Sequence, residues 1–143
     1  MKILVIGESC RDIFNYGECN RLCPEAPVPI FNSIQTTENG GMALNVKNNI
    51  AALNIETDLC TNTNWDTITK TRFIDIRTNH MFMRLDCNDS AYDRFDINQL
   101  QYDQYAAIVI SDYNKGFLTK EDINQISLKH NCVRYQKMFR VLV

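Results

Sequence analysis

At 143 residues, with 45% hydrophobic and 22% charged residues, the chain has the size and composition of one compact soluble domain. Fifteen Lys and Arg against 17 Asp and Glu leave a formal charge of -2, so no overall field attracts nucleic acid or an anionic membrane, and any anion must be held locally. No apolar run is long enough for a signal-peptide core or a membrane span, which predicts a cytoplasmic protein with reduced cysteines; Cys19-x-x-x-Cys23, with both histidines far away, is not read as a zinc site.

In chain order, "KILVIG" (2–7) is an unbroken apolar run rich in Ile and Val, the habit of a parallel strand buried on both faces. Asp12 follows in "GESCRDIF". A carboxylate past the carboxyl end of such a strand stands where α/β folds place ligands, or else it is a solvated loop residue. Residues 15–37 hold all three prolines, and Val28 to Ile34 alternates as an edge strand does, which predicts a small β flap beside the main sheet. Met42, Val46, Ile50 and Leu53 then recur at the spacing of one helical face, directly after Gly40 and Gly41. The two glycines either form a tight turn into that helix or let backbone amides at its start approach a sugar hydroxyl or phosphate. Asn45, in the first turn, would reach the same ligand or satisfy a loop.

Strands are expected at 56–60, 67–77 and 81–86, the last two forming a hairpin that turns at Thr78-Asn79-His80. Lys70 and Arg72, alternate residues of one strand, share a face; it either grips a phosphate or is simply solvated. "AAIVIS" (106–111) is another apolar run, and "SDYNKG" after it would project Asp112 and Lys115 from the same sheet edge as Asp12. Thr119 and Asp122 have the spacing of a capping box that opens a helix over 119–130. From 132 onward "CVRYQKMFRVLV" shows no clean period. Neither a Gly-x-Gly-x-x-Gly after the first strand nor a Gly-x-x-x-x-Gly-Lys-Ser/Thr occurs, so dinucleotide and P-loop binding are not indicated.

"LVIGESCRDIF", "CPEAPVPIF", "NGGMALNVKNNIAAL", "TITKTRF", "MRLD" and "IVISDYNKG" together, in this order, resemble the ribokinase-like (PfkB) sugar kinases. More narrowly they resemble the heptose 7-phosphate kinase branch, the kinase half of a bifunctional ADP-heptose synthesis enzyme. The resemblance covers nearly everything from Lys2 to about His130. It implies an incomplete α/β three-layer sandwich with a mostly parallel sheet, and a small β lid over 15–37 that could pair two copies into a homodimer. It further implies that Asp12, Gly40, Gly41 and Asn45 contact a sugar, that Lys70, Arg72 and Arg84 lie near its phosphate, and that Asp112 and Lys115 form the floor of the cleft. The implied ligand is a sugar phosphate, heptose 7-phosphate or similar, phosphorylated in the family from Mg-ATP by in-line attack of a sugar hydroxyl.

The departures from the family are equally definite. Its members are about twice as long, and "TNTNWD" stands where they carry a helix and a strand. The Asn-x-x-Glu segment associated with magnesium and the Gly-Ala-Gly-Asp motif that supplies the catalytic base are both missing. No catalytic residue is therefore assigned, no cofactor is expected to bind this fragment tightly, and the alternative to a shortened kinase is a non-catalytic sugar-phosphate-binding or partner-binding remnant. Residues 1–130 are read as the sugar-binding half. Residues 131–143 are read as an atypical tail, which suggests a frameshifted or prematurely ended reading frame, or an engineered fragment.

Overall fold

The computed structural model describes residues 2–90, 92–129 and 132–136. Its main sheet is parallel throughout, in the order β4-β1-β7-β8, from β1 (Lys2–Gly7), β4 (Glu56–Cys60), β7 (Ala107–Asp112) and β8 (Cys132–Gln136). Because alternate side chains of a strand leave by opposite faces, Leu4, Ile6, Ile108 and Ile110 share one face. They pack there with Ile123 and Ile126 of helix α2 (Lys120–Lys129) and with Phe95, Tyr102, Tyr105 and Phe117. Val109, on the other face, lines a groove with Val46 and Ile50 of helix α1 (Ala43–Ala51), which lies over that face. The result is helix, sheet and helix in three layers. Leu4, Ile6, Ile108, Ile110 and Ile126 are fully buried, each contributing roughly 1.5–3 kcal/mol.

The capping box forms as its spacing predicts: Asp122 accepts from Thr119 N–H at 2.8 Å and from its hydroxyl at 2.7 Å, and Asp122 N–H returns to the Thr119 hydroxyl at 3.2 Å. Among the described residues no helix is long and apolar enough to cross a membrane.

A second sheet, in the order β3-β2-β5-β6, corrects the expected flap at 15–37. It comprises β2 (Ser9–Glu18), β3 (Asn32–Met42), β5 (Thr69–Asp75) and β6 (Met81–Cys87); β2 and β5 run parallel and the outer pairs antiparallel. Asp12 is therefore a strand residue and not part of a loop. The polar "SCRD" concealed this strand because its residues serve different surroundings: Cys10 packs with Met42 and Ile68, Arg11 pairs with Glu38 at 2.6 Å, and Asp12 lines the space between the sheets. No strand runs from Val28, and 19–31 carries only the isolated Leu22–Pro29 bridge, since proline cannot donate to a ladder. The β5–β6 hairpin does turn at Thr78-Asn79-His80: Asn79 is left-handed at φ 57° and Asp75 accepts from Arg77 N–H and Thr78 N–H at 2.8 and 3.0 Å.

The aperiodic stretch after Asn131 also holds a correction, because Cys132–Gln136 is a strand beside β7. An edge strand draws its ladder bonds from its neighbour's main chain, so side-chain periodicity is a weak guide there. The rest of the atypical tail, 137–143, lies outside the described residues.

The chain crosses between the two sheets four times, at Glu8, at Met42, over 61–68 and over 88–106. The first three crossings leave from or arrive near the carboxyl edge of the main sheet, and the fourth ends at the amino end of β7, where Ala106 N–H donates to Lys2 O at 2.9 Å. Asn62, fully buried in the third crossing, fastens it to the first by accepting from Ser9 N–H at 2.8 Å and donating to Ser9 O at 3.3 Å.

Candidate functional site

The crossings enclose a cleft of about 190 Å³ between the second sheet and the carboxyl edge of the main sheet. Its walls are Asp12, Lys70, Arg72 and Arg84 from the second sheet, Met42 and Asp89 from crossings, and Tyr113 and Lys115 from the loop after β7. Strand register explains why four residues distant in sequence meet. Asp12 lies opposite Lys70, Lys70 opposite Asp86, and Arg72 opposite Arg84. All are even positions in register, so all leave by the same face.

Each cation of the cleft has a carboxylate partner. Arg72 donates to Asp12 at 2.7 Å and lies over the Phe14 ring at 4.9 Å. Arg84 donates to Asp86 at 2.9 Å, and Lys70 to the same carboxylate at 3.5 Å. Lys70 and Lys115 both donate to Asp89, which also accepts from the Tyr92 hydroxyl at 3.0 Å. Burial pushes the Asp89 carboxyl up, but the donors Lys115, Lys70 and Tyr92 outweigh it and hold it at about 2. Burial first, and then the bond to Asp89, push the Tyr92 phenol up, so it stays a hydroxyl donor. The side chain of Lys70 is only 12% exposed while that of Arg84 is 48% exposed, so the Lys70 pairs carry more energy than the Arg84 pair.

The loop that presents Lys115 is held by Glu8, a fully buried carboxylate that reasoning from sequence missed. Glu8 accepts from Tyr113 N–H at 2.9 Å through one oxygen and from Lys115 N–H at 3.0 Å through the other. Its own carbonyl accepts from Ala43 N–H at 2.8 Å, and the Ser9 hydroxyl accepts from Leu44 N–H at 3.1 Å. Two of the donors at the start of α1 are thus taken by the chain itself. The available signal was an acidic residue directly after the first apolar strand. Asp89 carried no comparable signal, because its partners come from two other segments.

Gly40 and Gly41 do not form a turn. They end β3, opposite Arg11 and Cys10, and the helix starts beyond Met42, whose own φ of 59° makes the bend. What approaches Gly41 is the chain itself: a Cβ there would stand 2.7 Å from Cys10 Sγ and 2.9 Å from Asp12 Oδ2. At Gly40 it would meet the Leu44 side chain. Asn45 is exposed and lines a different groove, with Val46, Ile50 and Val109. Asp112 is buried at the end of β7 and accepts from Asn114 N–H at 2.8 Å, closing the loop rather than lining the cleft. The expected set thus divides: Asp12, Lys70, Arg72, Arg84 and Lys115 converge, Gly41 backs Asp12, and Gly40, Asn45 and Asp112 stand apart.

Among the described residues no group of three or more His, Cys, Asp or Glu side chains is placed to hold a metal ion. The carboxylates of the cleft are each engaged by a cation, so this donor set does not fit a resident magnesium.

A mostly parallel three-layer domain with a second β sheet over the carboxyl edge is the architecture of the ribokinase-like carbohydrate kinases. Phosphofructokinase-2 from Escherichia coli, in complex with fructose-6-phosphate, matches with a TM-score of 0.61 at 13% identity, over 96% of this chain and 55% of its own. A carbohydrate kinase from Agrobacterium tumefaciens matches with a TM-score of 0.55 at 14% identity, over 93% of this chain and 52% of its own. In sequence, the Bifunctional protein HldE of Pasteurella multocida is 32% identical over 83% of this chain and 31% of its own length. That of Helicobacter pylori is 30% identical over 84% and 33%. No protein-family profile matches the sequence. The chain is a homologue of the HldE proteins, and its fold is that of the ribokinase-like carbohydrate kinases. It spans about a third of the length of these curated relatives and about half of the solved structures.

Proposed function

We propose that this chain is the sugar-phosphate-binding part of a carbohydrate kinase of the heptose 7-phosphate type, and that it does not transfer phosphate by itself. The observation that carries the reading is the convergence of Lys70, Arg72, Arg84 and Lys115 on one small cleft that also holds Asp12. Four cations, three from the second sheet and one from the loop after β7, form a seat for a phosphate, with fork-shaped guanidinium donors and compact ammonium charges. Asp12 is the acceptor for sugar hydroxyls, and Gly41 leaves room for its carboxylate against β3. Asp112 acts at the floor indirectly, by shaping the loop that carries Lys115, while Gly40, packed against Leu44, and Asn45, in another groove, take no part in the seat.

These residues bind and orient a sugar phosphate. Mg-ATP supplies the transferred phosphoryl group in such kinases, but the donor set here fits neither the metal nor a base, and no transfer step is derived from it. The protein is proposed to be cytoplasmic, to bind neither nucleic acid nor membrane, and to pair as a homodimer through the second sheet, residues 15–37 included. Exposed Met81, Met83 and Leu85 on edge strand β6 favour that pairing. A thermal-shift series with heptose 7-phosphate and with the unphosphorylated heptose tests the binding claim, because a ligand of the native state raises the melting temperature by mass action. Incubation with Mg-ATP and heptose 7-phosphate tests the other half: turnover that disappears in Asp12→Ala would overturn the claim of inactivity.

A further inference from the structure

Lys70 of the second sheet and Lys115 of the loop after β7 close on opposite oxygens of one carboxylate, Asp89. Tyr92 adds a third donor at 3.0 Å. Asp89 reaches this position from a tight bend: Asn88 before it is left-handed at φ 58° and donates through its side chain to Thr67 O at 2.9 Å. The anion seat of the cleft is therefore already filled, by the chain's own carboxylate.

We propose that Asp89 is a specificity-determining residue, a built-in competitor that yields Lys70 and Lys115 to a dianionic phosphate monoester and keeps monoanionic carboxylates, such as sugar acids, out of the cleft. This deepens the sugar-phosphate reading and rests on it. An intramolecular group acts at a high effective concentration. A free carboxylate brings the same single charge and the same two oxygens, so it gains nothing by exchange. A phosphate monoester brings about 1.5–2 charges and three acceptor oxygens, enough for both ammonium groups and a neighbouring guanidinium. It cannot simply add beside a seated Asp89, because the two anions repel at close range. Asp86, held by Arg84 at 2.9 Å, remains in place during the exchange.

The test is an NMR titration of the full chain with inorganic phosphate at about pH 8, where phosphate is dianionic, and separately with acetate. Wild type should bind phosphate and not respond to acetate. Asp89→Asn should bind phosphate about tenfold more tightly, the worth of roughly one charge-assisted hydrogen bond, and should gain acetate binding. Tyr92→Phe loosens Asp89 without changing net charge, and should tighten phosphate about two- to fivefold. Acetate binding by wild type, or unchanged phosphate affinity in Asp89→Asn, would overturn the competitor role and leave the sugar-phosphate reading standing. Absence of phosphate binding in wild type and in a folded Asp89→Asn overturns both. If Asp89→Asn does not fold, Tyr92→Phe decides, and unchanged affinity there overturns the proposal.

Discussion

Arg72 donates to Asp12 across the β2–β5 ladder at 2.7 Å, with both side chains about three-quarters buried. In the cleft, the group proposed to take sugar hydroxyls is thus positioned by one of the groups proposed to face the phosphate. Asp12→Ala leaves a largely buried guanidinium without its acceptor, at an expected cost of about 1–3 kcal/mol. Arg72→Ala should cost a similar amount, and the double variant less than the sum, since the two residues share one interaction. Urea unfolding of the three variants checks this; strictly additive losses would show that the pair is not coupled.

Glu8 predicts a larger effect at a residue outside the cleft wall. Glu8→Ala strands the buried N–H groups of Tyr113 and Lys115, for a loss of about 2–4 kcal/mol, while Glu8→Gln keeps one acceptor and should lose about half as much. Amide hydrogen exchange at Tyr113 and Lys115 should quicken in both variants. Protection at those amides equal to wild type would show that the loop does not depend on Glu8.

How far the sequence disclosed this arrangement depends on the kind of pattern involved. The buried parallel strands β1 and β7 and the Thr119–Asp122 capping box were readable because burial and capping leave local periodic signals, whereas the expected α1 face held only at Val46 and Ile50: Met42 makes the bend before the helix, and Leu53 lies beyond it, 71% exposed. β2 was not, because a polar cleft residue, Asp12, and a surface ion-pair residue, Arg11, interrupt its apolar pattern, and β8 was not, because an edge strand needs little periodicity. The shared face of Lys70 and Arg72 was readable from a spacing of two. Their pairing with Asp12, Asp86 and Asp89 was not, since register between strands is set by the whole sheet. The glycines misled in one respect: lack of a Cβ at Gly41 accommodates Cys10 and Asp12 within the fold, and no turn is involved.

Acid should reveal Asp89. Its folded carboxyl, at about 2, lies below the ordinary aspartate range, so it contributes stability that is present above that range and lost as pH falls toward 2. Glu38, Asp58, Asp75 and Asp93 are lowered too and act in the same direction. Stability from urea unfolding should fall between about pH 4 and pH 2, and Asp89→Asn should fall less steeply. An identical slope in that variant would show that Asp89 is not held in the folded state.

The strip Met81, Met83 and Leu85, each about half exposed on an edge strand, is expected to lie in a dimer contact. Met83→Glu combined with Leu85→Glu should convert a dimer to a monomer in sedimentation velocity, with little change in circular dichroism. A strictly monomeric wild type would contradict the proposed pairing.

The central claim is that the cleft binds a phosphorylated sugar through its cations, and calorimetric titration tests it most directly. Wild-type protein should bind heptose 7-phosphate, bind the unphosphorylated heptose at least about tenfold more weakly, and lose most of the difference in Lys70→Ala with Arg72→Ala, given the worth of charge-assisted bonds to phosphate. Equal affinity for the two sugars, or no heat from either with folded protein, would contradict it.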